Sequence, residues 1–229
     1  MDLKKRIVDI SYKKGLSHLG SCLSAVDLID EVYAVKEEKD SFILSAGHAA
    51  MALYVVLEKY YKHDAEMLYD LHGTHPNRDI EHGLECSTGS LGHGLPIALG
   101  MAMANKNKNV FCLISDGECS EGSIWEALRI GWEFKVSNLI VLVNVNGFGA
   151  YKKIKGEELL YQLRGFSGDV LVETGMGRGK LPKLLKRRSR FPTVIFCRTS
   201  VEQHPALKGL EAHYKVLTKL EYEAKEVSH

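Results

Sequence analysis

An α/β fold, a parallel β-sheet flanked by helices, is predicted from two observations. Short β-rich apolar runs alternate along the chain with stretches of helical spacing, the strand–helix–strand order of a parallel sheet. The runs are also nearly all apolar, as strands become when both faces of a sheet are covered.

Taken in order, the first run is "FILS" (42–45), followed by helical spacing at about 46–61. The stretch from His72 to Gly94 breaks the rhythm: it is rich in Gly and His, weakly periodic, and long for a mere connection. Connections of that length are usually functional or disordered. A helix at about 94–105 then leads to the strand "VFCLIS" (110–115), a helix at 121–135 to "LIVLVN" (139–144), and one at 157–163 to "DVLVET" (169–174). A last helix at 180–189 precedes "PTVIFC" (192–197). With no repeat, low-complexity tract or long polar linker, residues 1–229 read as one domain.

Composition narrows the function classes. The 229 residues are 45% hydrophobic and 26% charged, ordinary for a globular protein and enough to bury roughly 70% of the unfolded surface. A net charge of +1 supplies no global field for nucleic acid or an anionic membrane. The basic segment "KLPKLLKRRSR" (180–190) carries an apolar stripe at Leu181, Leu184 and Leu185, which suits a solvated helix better than a nucleic-acid contact. "TGMGRGKL" (174–181) has Thr174 and Leu181 where a phosphate-binding loop needs Gly and Ser or Thr. "TGSLGHG" (88–94) is not a dinucleotide fingerprint. Five cysteines without a Cys-x-x-Cys pair suggest a reducing, cytoplasmic setting. The N-terminal "MDLKKRIVDI" is amphipathic and reads as no signal peptide, and no run is long enough to span a membrane.

The chemistry concentrates at "LISDGECSEGSIWEAL" (113–128). Asp116 falls at the carboxyl end of one strand, and Gly117 permits a tight turn. The helix after it sets Ile124, Trp125, Leu128 and Trp132 on positions compatible with one buried face. The following strand ends just before Asn146. A right-handed crossover lays two parallel strands side by side with their carboxyl ends on one edge, which brings these two residues together. An Asp carboxylate, an Asn carbonyl and a main-chain carbonyl are hard oxygen ligands suited to Mg²⁺ or Ca²⁺ and not to zinc. The helix N-terminus beyond Gly117 favours an anion such as phosphate. From this segment alone, Asp116 serves equally well as a helix cap.

Five blocks in order resemble the N-terminal, cofactor-binding domain of the transketolase family. They are "GLSHLGSCLSAVDLI" (15–29), "FILSAGHAAMALY" (42–54), "GTHPNRD" (73–79), "CSTGSLGHGLPIALGMA" (86–102) and "NVNGF" (144–148). "SDGECSEGSIWEAL…NLIVLVNVN" also resembles the wider thiamine-diphosphate fingerprint. The likeness thins after Lys155, returns weakly at "KGLEAHYKVLT" (208–218), and leaves 180–229 poorly matched.

The resemblance implies a thiamine-diphosphate-binding fold and a site. Asp116, Asn146 and the main-chain carbonyl of Phe148 would hold Mg²⁺ or Ca²⁺ between the cofactor phosphates, with Gly117 against the diphosphate. His48 would also bind the cofactor, and the backbone at Gly89 and Leu91 would lie by its aminopyrimidine ring. His18 and His75 would hold donor hydroxyls, and His213 would assist near the diphosphate or substrate. Glu121 matches an acid in a network linking two active sites across a dimer, whereas Glu126 reads as solvated. His93 falls beside the cofactor loop, and His63, His72, His82 and His229 match nothing and read as surface residues. Ser115 stands where the fingerprint usually has glycine, a change tolerable at negative φ.

The activity implied is transfer of a two-carbon ketol unit from a ketose or ketose-phosphate donor to an aldose acceptor. In the family, the glutamate that activates the cofactor lies on a second domain, which this sequence does not reach before His229. The resemblance therefore implies a split transketolase: this chain with a separate C-terminal subunit, in a heterotetramer of two plus two. Alternatives are another thiamine-diphosphate subunit, of deoxyxylulose-phosphate synthase or 2-oxoacid dehydrogenase α type, or a non-catalytic regulatory subunit.

Overall fold

The computed structural model describes residues 1–167, 170–173, 180–187 and 189–224. Among the described residues, five parallel strands form one sheet: β1 (Ser41–Leu44), β2 (Val110–Ser115), β3 (Leu139–Val145), β4 (Val170–Glu173) and β5 (Thr193–Arg198), in the order β1-β2-β3-β5-β4. The predicted strands recur within a residue or two, except that the described part of "DVLVET" is only Val170–Glu173.

Strand residues alternate between two cores. Phe42, Leu44, Phe111, Leu113, Ile140, Leu142 and Ile195 face one layer, and Ile43, Cys112, Ile114, Val141, Val143 and Phe196 face the other. Both sets are buried, which is why these runs lack the polar alternation of a one-sided sheet. The first layer contains α1 (Leu3–Lys14), α2 (Leu19–Val35), α3 (Ala50–Tyr61), α4 (Ala65–His72) and α8 (Leu181–Leu185). The second contains α5 (Gly94–Ala104), α6 (Gly122–Glu133) and α7 (Gly156–Ser167). A short α9 (Lys219–Glu223) follows, its Tyr222 ring stacked on Tyr12 of α1.

Several boundaries have local causes. Asp2 caps α1 by accepting from Lys5 N, and Gly15 ends it in the left-handed region. Asp64 caps α4 by accepting from Met67 N. The helix expected at 180–189 is shorter, Leu181–Leu185. The buried face of α6 also differs from expectation: Ile124, Ala127 and Leu128 are buried, while both tryptophans are half-buried. Their polar edges and breadth explain it. Trp125 Nε1 donates to Cys119 O, and Trp132 stacks on Phe191 at 3.7 Å. Most of "TGMGRGKL", Arg188 within the basic segment, and His229 lie outside the described residues. No helix among the described residues is long and apolar enough to cross a membrane. All five cysteines are free thiols.

Candidate active site

The carboxyl edge of the sheet gathers most of the predicted residues. β2 and β3 pair with Ser115 opposite Asn144, so Asp116 leaves β2 beside the end of β3. Asp116 N donates to Asn144 O at 3.1 Å, and the Asp116 carboxylate is held by backbone N–H groups. Gly117 N donates to Oδ1 at 2.9 Å and Gly147 N to Oδ2 at 2.7 Å. The crossover thus carries Asp116 to the loop containing Asn146 and Phe148. Asn146 Oδ1 accepts from Phe148 N at 3.0 Å and retains a second lone pair. Ser115 sits in β2 outside the left-handed region, so the glycine it replaces is not needed there.

Asp116 is 1% exposed, and burial pushes its carboxyl up to about 7 against the pull of Gly147 and Gly117 N–H. A buried carboxylate with neutral backbone partners suits a cation. With Asn146 and a nearby main-chain carbonyl, the donor set is all oxygen, which fits Mg²⁺ or Ca²⁺. Gly117 packs against Gly149, whose Cα would be 3.2 Å from any added Cβ, so the two backbones meet closely beside Asp116.

Beside this pair a cleft of about 240 Å³ is lined by His18, His48, His75, His213, Gly89, Leu91, Gly117, Asn146 and Phe148 among others. His18, His48 and His213 form a triangle, with ring centroids 5.5 Å apart for His18–His48, 4.7 Å for His18–His213 and 5.3 Å for His48–His213. Three segments distant in sequence supply them. His18 stands before α2 at φ 62 and ψ 17, a left-handed conformation rare for a side chain of this size. Its backbone N donates to His213 O at 3.0 Å, which holds the strained residue, and its buried Nδ1 has no hydrogen-bond partner. The left-handed backbone of His18 is strain held at the cleft wall, and its buried Nδ1 is a polar atom without a partner.

Burial, with His213 and His75 nearby, pushes the His18 imidazole down to about 4. Burial, with His213, His18 and His75, takes His48 to about 3, and burial alone lowers His213. The three rings are neutral at pH 7, able to donate and accept without carrying charge. His75 is exposed at the mouth, its ring packed on Gly89 so closely that a Cβ there would lie 2.8 Å from Cγ. Gly47 meets the same loop from the other side, 2.6 Å from Gly89 N by the same measure.

Other predicted residues fall elsewhere. Glu121 occupies the N-cap position of α6 beside Gly92, without a side-chain capping hydrogen bond, and is not among the residues lining the cleft. Glu126 is exposed and paired with Arg129. His93 is exposed before α5. The surface reading of His72 is overturned: its side chain is 8% exposed, because Tyr54 and the turn after α4 cover it. His63 and His82 are half-buried against each other, with ring centroids 5.0 Å apart.

Sequence reasoning missed Glu118, which is fully buried. Its Oε1 accepts from Ser45 Oγ at 2.7 Å and Gly92 N at 3.0 Å, and its Oε2 from Ser115 N at 3.0 Å. One carboxylate therefore ties the ends of β1 and β2 to the glycine loop. Only its place two residues after Asp116 hinted at this. Tyr214, in the cleft lining, donates to Ala150 O at 2.9 Å. His204, likewise unread, is buried and accepts from Ala206 N in the loop leading to His213.

Comparison with known proteins gives the family and the fold. The family described as "Transketolase, thiamine diphosphate binding domain" matches residues 22–212. The A subunit of apulose-4-phosphate transketolase from Phocaeicola vulgatus is 36% identical over 163 residues, covering 62% of this chain and 58% of that protein. Human transketolase is 32% identical over 211 residues, covering 81% of this chain and 34% of its own length. The chain thus spans less than two thirds of these curated relatives. The fold superposes on transketolase from Campylobacter jejuni with a TM-score of 0.81 at 24% identity, covering 96% of this chain and 40% of that one.

Proposed function

The chain belongs to the family of transketolase thiamine-diphosphate-binding domains, and on that premise we propose that it is the N-terminal subunit of a split transketolase. With a separate C-terminal subunit, it moves a two-carbon ketol unit from a ketose-phosphate donor to an aldose acceptor. This division of labour is supported by two relatives, from Phocaeicola vulgatus and Actinobacillus succinogenes, that are themselves named as one lettered component of a multi-chain transketolase. Those names also specify apulose 4-phosphate, and a ketose phosphate of that class is the donor proposed here. Residues 1–229 act as one cofactor-binding domain, working in the cytoplasm in a two-plus-two assembly.

One observation carries the reading: a buried carboxylate, Asp116, is held by backbone N–H groups between Ser115 and Gly117, two residues that line a cleft into which neutral imidazoles converge. Asp116, Asn146 and the Phe148 carbonyl would hold Mg²⁺ or Ca²⁺, and Gly117 would admit the diphosphate. Thiamine diphosphate, when bound, supplies the nucleophilic carbon and the electron sink that a two-carbon transfer requires.

The remaining work falls to the chain's own groups. His48 Nδ1 or Nε2, uncharged at neutral pH, can hydrogen-bond a phosphate or sugar oxygen without adding positive charge. His18, a neutral ring in the cleft wall, can hydrogen-bond a donor hydroxyl. His213, fixed to His18 through its backbone carbonyl, completes the wall beside the diphosphate position. His75 stands at the mouth, where a sugar hydroxyl enters. Glu118 keeps the glycine loop seated, so that Gly89 and Leu91 face the cleft. Glu121, at the start of α6, would join a carboxylate network between two copies.

The test is a ketol-transfer assay of the chain with its C-terminal subunit, using ketose phosphates and, separately, pyruvate. Turnover of ketose phosphate by the mixture is expected. Turnover of pyruvate alone would reject the donor assignment, and ordinary rates from the chain by itself would reject the split-enzyme reading.

A further inference from the structure

A second polar cluster lies away from the cofactor edge. α4 ends at His72, and the chain then makes a turn closed by reciprocal hydrogen bonds between Asp79 and Leu84, both 2.8 Å. This turn returns Asp79 and His82 to the end of the helix. His82 Nδ1 lies 2.7 Å from Asp79 Oδ2, and His72 Nε2 lies 3.3 Å from the same oxygen. One ligand atom from each residue falls within 4.8 Å of the others.

Asp79 Oδ2 lies at ion-pair distance from both rings, but a hydrogen bond joins it to His82 and not to His72. His82 and Asp79 are about a quarter exposed and satisfy each other, as many surface pairs do. His72 is different. Its side chain is 8% exposed, and its Nε2 is buried without a hydrogen-bond partner despite the nearby carboxylate. A buried ring nitrogen left without a partner is uncommon and requires a cause. A metal ion supplies one, because a neutral imidazole presents its lone pair to a cation and needs no hydrogen.

We propose that His72 Nε2, Asp79 Oδ2 and His82 Nδ1 form a binding site for Zn²⁺ that clasps the end of α4 to the 79–84 turn. Two imidazoles and one carboxylate suit zinc, whose ligand distances of about 2.0–2.2 Å set neighbouring donor atoms a little over 3 Å apart. Mg²⁺ is a poor match because it prefers oxygen. Water fills the fourth position, and the partial exposure of His82 and Asp79 gives the ion a way in. His75 lies between the ligands in sequence, so the clasp shortens the free span of the segment that presents it. The ion site stands independently of the cofactor reading, and only this consequence for His75 rests on that reading.

The experiment uses the untagged full chain, stripped with a chelator and titrated with Zn²⁺ in the presence of excess Mg²⁺. Binding is followed by calorimetry and melting temperature, and Co²⁺ is used as a spectroscopic stand-in. One ion per chain, a raised melting temperature and the visible bands of low-coordinate Co²⁺ are expected. His82→Ala and Asp79→Asn each weaken binding by more than the roughly 10–100-fold that loss of an outer-shell partner costs. Should Asp79→Asn fail to fold, His82→Ala carries the comparison, since His82 is partly exposed and ends no helix. Zinc held by the free cysteines would survive both substitutions. That result, no binding at micromolar zinc, or equal competition by Mg²⁺ would overturn the site and leave a simple ion pair. None of these readouts involves turnover, so failure here is distinct from failure of the proposed activity.

Discussion

Asp116 and His48 stand a few residues from the same sheet edge, yet burial drives their protonation in opposite directions relative to stability. The folded-state pKa of His48 is about 3, below its ordinary 6.5, so the unfolded chain binds the extra proton as pH falls from 6.5. Its contribution to stability is full above that pH and is lost on acidification, at up to about 1.4 kcal/mol per pH unit, less for a ring that is not wholly buried. His18 acts with the same sign down to about 4. Asp116, raised to about 7, has the opposite sign: the folded state holds its proton more tightly between 3.8 and 7. Comparison with a variant separates the two effects. Urea unfolding at pH 7, 5.5 and 4.5 should show His48→Gln losing less stability on acidification than the parent chain. Parallel losses would mean His48 is well solvated. Asp116→Asn tests the other group. It removes a buried charge, so the apo melting temperature should hold or rise. Mg²⁺-dependent retention of thiamine diphosphate should fall by more than roughly 100-fold, beyond the effect of losing an outer-shell partner. Unchanged retention would remove Asp116 from the proposed metal site. Asp116 and Asn146 were legible because strand-end position is local information. Glu118 and His72 were not: Ser45 and Gly92 reach Glu118 only through the tertiary fold, and Asp79 reaches His72 only through an irregular turn without a repeating pattern.

At the scale of elements, the strands were readable because burial on both faces leaves unbroken apolar runs. Helices were less so where burial erases periodicity. α2 has twelve buried residues spread around its circumference, and its apolar sequence shows little contrast between faces. α4, with eight residues, is too short for a pattern to repeat. Two glycines show how the same residue serves opposite ends in these elements. Gly100 lies on the exposed side of α5, where an added Cβ meets nothing within 4 Å. Gly100→Ala should stabilise the isolated chain by about 0.5–1 kcal/mol, since alanine loses less backbone freedom in a helix. Gly47 lies in the 3₁₀ turn before α3, and its Cβ would fall 2.6 Å from Gly89 N and 2.7 Å from Thr88 C. Because backbone atoms block it, Gly47→Ala should cost about 1–3 kcal/mol or more and displace the Gly89 loop from His75. Denaturant midpoints for the two variants should move in opposite directions. A neutral Gly47→Ala would mean that the loop yields freely and does not set the cleft wall.

At the scale of the whole molecule, two helical layers close both faces of the sheet, and the cleft faces outward from the sheet's carboxyl edge. His75 is exposed there, as is Tyr214, which also lines the cleft. Exposure at a wall that must exclude water is a weakness in a chain working alone and useful in one that is covered by another. On the proposed reading, the C-terminal subunit lies over this edge and brings the carboxylate that faces the cofactor's aminopyrimidine. The chain alone should therefore turn over ketose phosphate at least roughly 10²–10⁴-fold more slowly than the mixture, the usual value of a positioned proton-transfer group. Addition of the partner should restore activity as a saturable function of its concentration, with an endpoint at equal molar amounts of the two chains. The covering also predicts a kinetic signature. Chemical modification of His75 by an imidazole-selective reagent should proceed readily in the free chain and slow sharply once the partner and cofactor are present. Modification at an unchanged rate in a fully active complex would mean that this edge stays open and that the second subunit contributes from elsewhere.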